Sequence, residues 1–277
     1  MRQHSARPLI VLHTDFNAML FLLSPAKSLD YESQLPDDLP HTLPDFRKQA
    51  QELITVLREK SPQQLSELMS ISDKLAVLNM TRYEAFSPRF TAKNSRQAVM
   101  AFNGDVYEGL NAQTLKAKDL DWAQEHLVIL SGLYGVLRPL DLLQPYRLEM
   151  GTKLQTPQGS NLYKFWGTQI ASYLNDRAEQ QPAAQRVIVN LASQEYFKSV
   201  DLKALQLPVV ECVFEDFKND NYKIISFFAK RARGLMARYV IEHRVKTVAA
   251  LREFNVDGYA LAESISTAER LVFRRKI

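Results

Sequence analysis

The sequence predicts an α+β protein, a single compact domain with a mixed β-sheet, flanking helices and a helix–hairpin–helix-like element. The first observation is composition: 46% of the 277 residues are hydrophobic and 24% are charged, as in ordinary globular proteins. The second is that apolar, strand-like runs mix with helical periodicities without a strict β-α-β rhythm. The third is that no linker, repeat or low-complexity tract divides the chain, which has only nine glycines.

The first strand is predicted at residues 20–23, a short apolar run that ends at Ser24-Pro25. The 18 residues before Met19 do not continue this pattern. We therefore expect residues 1–18 to be a non-native or disordered extension and residues 19–277 to form the domain. The apolar run at 8–12 is interrupted soon afterwards by polar residues, so it makes a poor signal-peptide core.

The cellular compartment is predicted from cysteine usage and hydropathy. Cys212 is the single cysteine, so the chain has no intramolecular disulfide partner. It lies in an apolar, β-branched run typical of a buried strand, and no base beside it suggests a nucleophile. An unpaired thiol fits a reducing compartment, and no run approaches the ~20 apolar residues of a membrane span. We expect a cytoplasmic monomer with no membrane partner.

Helices are predicted where apolar residues recur at helical spacing. In residues 45–60, one face carries Phe46, Ala50, Leu53, Ile54 and Leu57. Ser61 and Pro62 are typical of the N-cap and first position of the next helix. Further helices are predicted at 72–80 and 161–175. Strands are predicted from β-branched and aromatic content at 98–102, 128–130, 187–191, 209–214 and 222–228, and residues 31–44 read as a surface loop.

Basic charge concentrates in a predicted helix at residues 228–244, whose only acid is Glu242. A helical wheel places most of its cations opposite the apolar residues. Guanidinium groups pair well with phosphate oxygens, so this face favours binding of a polyanion, although a solvated polar face is the alternative. A glycine in mid-helix, such as Gly234, destabilises the helix by about 1 kcal/mol relative to alanine. Close approach of another backbone or of a phosphate would explain why a glycine occurs there. The cations are Lys230, Arg231, Arg233, Arg238 and Arg244.

A glycine-containing segment at residues 130–140 is the source of the predicted hairpin element. Gly132 and Gly135 bracket an apolar pair, and Arg138 and Arg147 follow. Glycines expose backbone amides, and a helix–hairpin–helix element uses such amides to hold DNA phosphates. A structural turn after a strand is the alternative interpretation.

Two lysines follow predicted strands. Lys27 comes directly after the first strand, and Lys198 ends the polar segment after the strand at 187–191. If these strands are parallel neighbours, both lysines reach the same edge of the sheet. Either lysine can bind phosphate or, if desolvated, act as a nucleophile or base, whereas a surface lysine in a turn is the plainer alternative. The weak catalytic candidates are Lys27, Lys198, Asp105 and Glu149.

No cofactor or metal site is predicted. The five histidines have no partners at ligand spacing, and neither GxGxxG nor GxxxxGK[ST] occurs.

Several unusual segments, taken in order, resemble the YaaA family of bacterial peroxide-stress-resistance proteins. They span the chain from Met19 nearly to its end. These segments are SPAK at 24–27, ISDKLA at 71–76, GDVYEG at 104–109, LSGLYGVLRPLD at 130–141, PYRLEM at 145–150, LYKFW at 162–166, NLASQEYFK at 190–198 and KRARGLMAR at 230–238.

The resemblance implies a one-domain fold peculiar to the family, with a positively charged cleft that binds duplex or distorted DNA. It also implies a role in limiting unincorporated iron during hydrogen peroxide stress. With the two hairpin glycines, the DNA-binding candidates are Lys27, Gly132, Gly135, Arg138, Arg147, Lys198, Lys230, Arg231, Arg233 and Arg238.

Three functional hypotheses follow. The first is a DNA-binding protein without chemistry of its own, with weak sequence preference because its contacts are to phosphates. The second is an enzyme that acts on damaged DNA or a nucleotide with a lysine in the same cleft. The third is a protein that binds iron directly, which the histidine pattern does not favour.

Overall fold

The computed structural model describes residues 19–36, 38–179 and 186–276, so the predicted extension at 1–18 lies outside the described residues. Strands occur throughout this part of the chain. In chain order they are β1 (Met19–Leu23), β2 (Ser28–Leu29), β3 (Arg96–Gln97), β4 (Phe102–Asn103), β5 (Leu127–Ser131), β6 (Gly135–Leu137), β7 (Leu142–Leu143), β8 (Val187–Asn190), β9 (Val209–Lys218), β10 (Asn221–Lys223), β11 (Ala260–Leu261) and β12 (Arg270–Lys276).

Eight of these strands form one mixed sheet, which confirms the predicted fold class. Its order is β11-β12-β9-β8-β1-β5-β6, and β10 pairs with β9. The five central strands are parallel, while β6, β10 and β11 are antiparallel to their neighbours. β2 pairs with β4 and β3 with β7 in two small ladders. All residues of β1 and β5 are buried, as expected for central strands covered on both faces.

Helices cover the sheet and connect its strands. They are α1 (Arg47–Arg58), α2 (Pro62–Met69), α3 (Asp73–Ala85), α4 (Ala98–Ala101), α5 (Asp105–Leu110), α6 (Ala117–His126), α7 (Leu162–Trp166), α8 (Gln169–Glu179), α9 (Gln194–Phe197), α10 (Ser226–His243) and α11 (Val248–Leu251). α1 buries Ala50, Leu53, Ile54 and Leu57, as its spacing predicts. α2 begins with a capping box, in which the Ser61 hydroxyl accepts from the Gln64 amide and the Gln64 side chain accepts from the Ser61 amide.

Three predicted elements differ from the structure. Residues 98–101 are the buried helix α4 instead of a strand, because a short apolar run fits either element. The helix predicted at 161–175 is split into α7 and α8 at Gly167, whose φ of +48° ends α7. The strand predicted at 222–228 is limited to β10, since α10 already begins at Ser226.

The predicted core position of Cys212 is confirmed. Its side chain is buried in β9 among the residues of the main hydrophobic core. Burial raises the pKa of the Cys212 thiol to about 12, and the nearby Glu211 carboxylate adds to this shift. The thiol is therefore held in its protonated, unreactive form at neutral pH.

β9 is much longer than its neighbour β8. The last residue of β8, Asn190, pairs with Glu211, so residues 212–218 of β9 continue beyond it. At about 3.3 Å per residue, this part reaches roughly 23 Å past the end of β8. It is flanked by β10 and β12. We call residues 212–218, β10 and β12 the strand extension.

Candidate functional site

The loops after β1 and β8 meet at one end of the sheet, which we call the carboxyl edge. β1 and β8 are parallel neighbours, with Leu22 opposite Asn190. The predicted condition for the two lysine-bearing loops to share an edge is therefore confirmed. The loops are also joined directly, because the Ser193 amide donates to the Ser24 hydroxyl at 2.9 Å. Parallel strands commonly place functional groups at this end.

The centre of the carboxyl edge is a carboxylate held by two cations. One oxygen of Glu149, Oε1, lies 3.3 Å from Lys27 Nζ and 3.1 Å from an Arg147 guanidinium nitrogen. Lys27 is 67% exposed, whereas the side chains of Arg147 and Glu149 are largely buried. Glu149 Oε2 and Arg147 Nε have no hydrogen-bond partner among the residues that the structure describes. In this group the Lys27 ammonium is accessible to solvent, and it lies beside the largely buried ion pair of Arg147 and Glu149.

Buried tyrosines hold the segment that carries this pair. The Tyr83 hydroxyl donates to the carbonyl of Arg147, and the hydroxyls of Tyr146 and Ser131 lie 2.7 Å apart. Burial raises the pKa of Tyr83, and the negative charge of Glu149 adds to the shift; burial likewise raises the pKa of Tyr146. Both phenols therefore stay protonated at neutral pH and remain available as donors.

Gly132 brings this segment against the sheet. A Cβ at Gly132 would lie 2.2 Å from the carbonyl oxygen of Leu148, so only glycine fits there. On the other side of the segment, the Gly151 amide donates to a carboxylate oxygen of Glu195 at 2.9 Å. Glu195 lies in α9, so the cationic segment is tied to the loop after β8 as well.

Lys198 stands at the end of that loop. It is exposed, and its Nζ lies 5.2 Å from the centre of the Tyr163 ring, a cation–π distance. The Tyr163 hydroxyl donates to the carbonyl of Glu195 at 3.0 Å. The Tyr163 ring therefore fixes the position of an exposed cation near Glu195.

On the opposite side of Lys27, the edge continues to α5 and α10. A Cβ at Gly104 would lie 3.4 Å from the Cβ of Ala26, so the loop after β1 touches the start of α5. The next residue, Asp105, pairs with Lys230 of α10 at 3.8 Å. Lys27 and Lys230 thus flank the same short stretch of chain.

The two glycines behind this pair explain how closely α5 and α10 pack. A Cβ at Gly234 would lie 1.8 Å from the carbonyl oxygen of Val106, and one at Gly109 would lie 2.3 Å from that of Arg231. The two helices therefore cross with their backbones in contact. Of the two reasons predicted for Gly234, approach of another backbone is confirmed.

The remaining cations of α10 do not form the single outward face that the helical wheel predicts. α10 is buried on two of its sides. One side carries Gly234, Ala237 and Ile241, and the other carries Ala229, Ala232, Met236 and Val240. Arg231 pairs with Asp257 at 2.7 Å. Burial lowers the pKa of Arg233, which faces Glu211 and Cys212. Arg231 and Arg233 therefore interact with other residues of the protein instead of forming part of an outward basic face.

Arg238 and Arg244 likewise have protein partners. Arg238 donates to the carbonyls of Leu110 and Asn111, at 3.1 and 2.9 Å, which lie at the end of α5. It also pairs with Glu242, the one acid of the helix. Arg244 pairs with Asp119 at 2.6 Å. Among the α10 candidates, Lys230 therefore has the most solvent-accessible charge.

The helix–hairpin–helix-like element is not confirmed. Residues 130–137 form a β-hairpin, in which β5 pairs antiparallel with β6 and Ser131 lies opposite Gly135. Gly132 and Gly135 are buried, so their amides are not exposed as predicted. Gly135 has a φ of +66°, and the Trp166 ring occupies the space where its side chain would stand. The two glycines therefore belong to a tight, buried turn between β5 and β6.

Arg138 lies away from the carboxyl edge. Because β6 runs antiparallel to β5, Arg138 follows β6 toward the amino end of β5. There it pairs with the buried Asp141 at 3.0 Å. Burial is the largest cause that raises the pKa of Asp141, opposed by the charge of Arg138. The structure therefore brings together Lys27, Arg147, Lys198, Lys230, Glu149 and Asp105, and separates Arg138 from them.

Sequence reasoning missed the side chains that position this edge, namely Tyr83, Tyr163, Ser24, Ser193 and Glu195. Four of them lie inside segments that were singled out or next to a predicted strand, but their partners are distant in sequence. Among the described residues, no group of three or more His, Cys, Asp or Glu side chains is arranged to hold a metal ion. Within the same residues, no helix is long and apolar enough to cross a membrane.

Comparison with known proteins gives a consistent result. The family model described as peroxide stress protein YaaA matches residues 19–265. A UPF0246 protein of Delftia acidovorans is 72% identical over 258 residues, which cover 93% of this chain and 99% of that protein. UPF0246 proteins of Paracidovorax citrulli and Bordetella pertussis are 65% and 62% identical, each across 93% of this chain and 99% of the relative.

Proposed function

Because this chain belongs to the family of peroxide stress protein YaaA and so has a role in the peroxide stress response, we propose that it acts there by binding DNA at the carboxyl edge of its sheet. The observation that carries the proposal is the meeting of Lys27, Lys198 and Lys230 at one edge. They come from three distant parts of the sequence. A row of exposed cations is the usual means of holding a phosphate backbone.

The ion pairs at this edge leave the lysines available. Lys27 pairs with Glu149, and Lys230 with Asp105, but both lysine side chains are more than half exposed. Exposed ion pairs contribute only about 0–1 kcal/mol, so a phosphate can compete with the carboxylates. The arginines of α10 are committed to internal partners and are not needed in this proposal.

Salt dependence tests the proposal. Three phosphate contacts predict a slope of about −2.7 for log K against log salt, so affinity for a labelled duplex falls about 40-fold between 50 and 200 mM NaCl. We expect Lys27→Glu with Lys230→Glu to reduce this slope by about 2, measured by fluorescence anisotropy.

Lys48→Glu is the matched control. Lys48 is an exposed lysine in the first turn of α1, which follows Thr42, and Thr42 bonds to Asp141 near Arg138. The control makes the same charge change as either single substitution, at a position outside the set of Lys27, Lys198 and Lys230. If it weakens binding as much as the double variant does, specific use of the carboxyl edge is refuted. If the wild-type chain binds no DNA at 50 mM NaCl, DNA binding itself is refuted.

The proposal includes the effect on iron that the family resemblance implies. In this view, the chain limits unincorporated iron without holding iron itself. Titration calorimetry with Fe(II) under anaerobic conditions checks this, and stoichiometric binding at micromolar concentration would contradict it.

A second candidate function is an enzyme that acts on damaged DNA or a nucleotide. The contact between Lys27 and Glu149 favours it, because an amine beside a carboxylate can exchange a proton. An amine attacking the aldehyde of an abasic sugar would form an imine and release water. However, nucleophilic lysines are usually desolvated, whereas Lys27 is mostly exposed. Borohydride trapping decides: a covalent adduct lost in Lys27→Ala supports the enzyme, and no adduct across damaged substrates refutes it.

A further inference from the structure

A cavity lies between α1 and the turn that precedes α7. Its volume is about 430 Å³, which falls within the range of roughly 300–1,000 Å³ that is usual for small-molecule sites. Its lining residues differ from those of the carboxyl edge, so the proposed function does not account for it. They are Glu52, Thr55, Val56, Thr156, Pro157, Gln158 and Phe165.

The two walls of the cavity are fixed by main-chain structure. One wall is the side of α1 that carries the residues at 52, 55 and 56, which share a helix face by their spacing. The other wall is a turn in which Thr156 and Gly159 exchange main-chain hydrogen bonds of 2.9 and 3.1 Å. A Cβ at Gly159 would lie 2.6 Å from the Cβ of Lys164, so this turn rests directly on α7. The cavity is therefore formed before any ligand binds.

The floor of the cavity is apolar. Phe165 is only 4% exposed, and its ring packs edge-on against Trp166 with 5.0 Å between ring centres. Val56 is half-buried and packs against the hydrophobic core, and Pro157 lies on the opposite wall. These side chains offer a flat apolar molecule a contact surface that is already ordered.

The hydroxyl groups of the cavity have already used their protons. The Thr55 hydroxyl donates to the carbonyl of Gln51 at 2.9 Å, and the Thr156 hydroxyl donates to the carbonyl of Gly159 at 3.1 Å. A threonine hydroxyl has a single proton, so each of these oxygens can only accept a further hydrogen bond. The cavity therefore favours a ligand that donates hydrogen bonds.

The charge of the cavity has the same preference. Glu52 supplies the charged group among the described residues that line it, and an ionised carboxylate is an acceptor only. Glu52 Oε2 lies 3.4 Å from Gln158 Nε2, a long hydrogen bond that joins the two walls. An ammonium group can replace this amide and form a stronger, charge-assisted bond with the carboxylate.

We propose that this cavity binds a small amine, with a flat apolar body against Phe165 and a positive amino group at Glu52. The inference goes beyond the proposed function and is independent of DNA binding. A carboxylate ligand of the same shape is disfavoured, because it would face the charge of Glu52 and find no free proton on either threonine.

The test compares two probes that share an indole ring. Tryptamine carries an ammonium group, and indole-3-propionate carries a carboxylate at the same place. We expect titration calorimetry to give tryptamine a dissociation constant of about 1 mM or lower, as its size permits, and to detect no saturable binding of indole-3-propionate up to about 10 mM.

Two substitutions locate the site. Glu52→Gln removes the charge and keeps the size of the side chain, so it should weaken tryptamine binding at least about threefold. Val56→Trp fills the cavity and should abolish binding. Glu84→Gln, at an exposed glutamate of α3 that does not line the cavity, is the control and should bind as wild type does.

The inference is overturned if wild type binds no tryptamine, or if it binds indole-3-propionate equally well. Equal binding by Glu52→Gln and Glu84→Gln would refute the role of the carboxylate. Wild-type affinity in a folded Val56→Trp variant would place the amine elsewhere on the protein. If Val56→Trp does not fold, the comparison of the two glutamine variants still decides, since both replace exposed side chains.

Discussion

Replacing Gly234 by alanine should destabilise the protein, although the same change in an ordinary helix is stabilising. An added Cβ would lie 1.8 Å from the carbonyl oxygen of Val106, where a close C···O contact needs about 3.3 Å. α5 and α10 would have to separate by about 1.5 Å. Overpacking of this kind costs about 3 kcal/mol, and the helix preference of alanine returns about 1 kcal/mol.

Urea unfolding followed by circular dichroism measures the net loss of about 2 kcal/mol. With a slope of about 3 kcal/mol/M, the midpoint should fall by about 0.7 M. Gly109→Ala, on the facing helix, should behave in the same way because its Cβ would lie 2.3 Å from the Arg231 carbonyl oxygen. Gly104→Ala is the control, since its Cβ would meet only an ordinary contact at 3.4 Å. Stability equal to or above wild type in Gly234→Ala would refute the backbone contact between α5 and α10.

The other predictions concern titration and reactivity. Burial raises the pKa of Tyr83 and Tyr146 above their unfolded value of about 10, so their contribution to stability is complete below pH 10 and is lost as pH rises further. Stability measured between pH 9 and 11.5 should therefore fall less steeply in Tyr146→Phe than in wild type, and equal slopes would contradict this. Since burial raises the pKa of the Cys212 thiol to about 12, we expect no reaction with a thiol-specific disulfide reagent at pH 8 in the native state and one equivalent in denaturant; fast native reaction would show that the thiol is accessible.

The parts of the site that sequence predicts are those set by local pattern. Lys27 and Lys198 each come after a strand that the sequence indicates clearly. Because those two strands are parallel neighbours, both lysines lie at the same edge of the sheet. The close approach at Gly234 also follows from a glycine in mid-helix. In contrast, the partners of Arg231 and Arg238 come from Asp257 and from the end of α5, and no local spacing indicates such contacts.

Two failures share one physical cause. The helical wheel assumes one buried side, but α10 is covered by α5 and by the sheet, so its arginines are drawn into internal ion pairs. Gly132 and Gly135 fit both an exposed phosphate loop and a buried β-turn, and the contacts of Gly132 with the Leu148 carbonyl and of Gly135 with the Trp166 ring distinguish these alternatives. In each case tertiary contacts decided between structures that the local sequence allows equally.

The strand order has a consequence for how the chain is made. β1 is synthesised early but occupies the middle of the sheet, and its neighbours β5 and β8 begin only at Leu127 and Val187. The other side of β9 stays uncovered until β12, which ends at Lys276, has been synthesised. Such long-range parallel pairing folds slowly, and a nascent chain that stops before residue 270 presents β9 as an open edge to other chains. The carboxyl edge, in contrast, is complete only after Lys230 of α10 has been synthesised, long after Lys27.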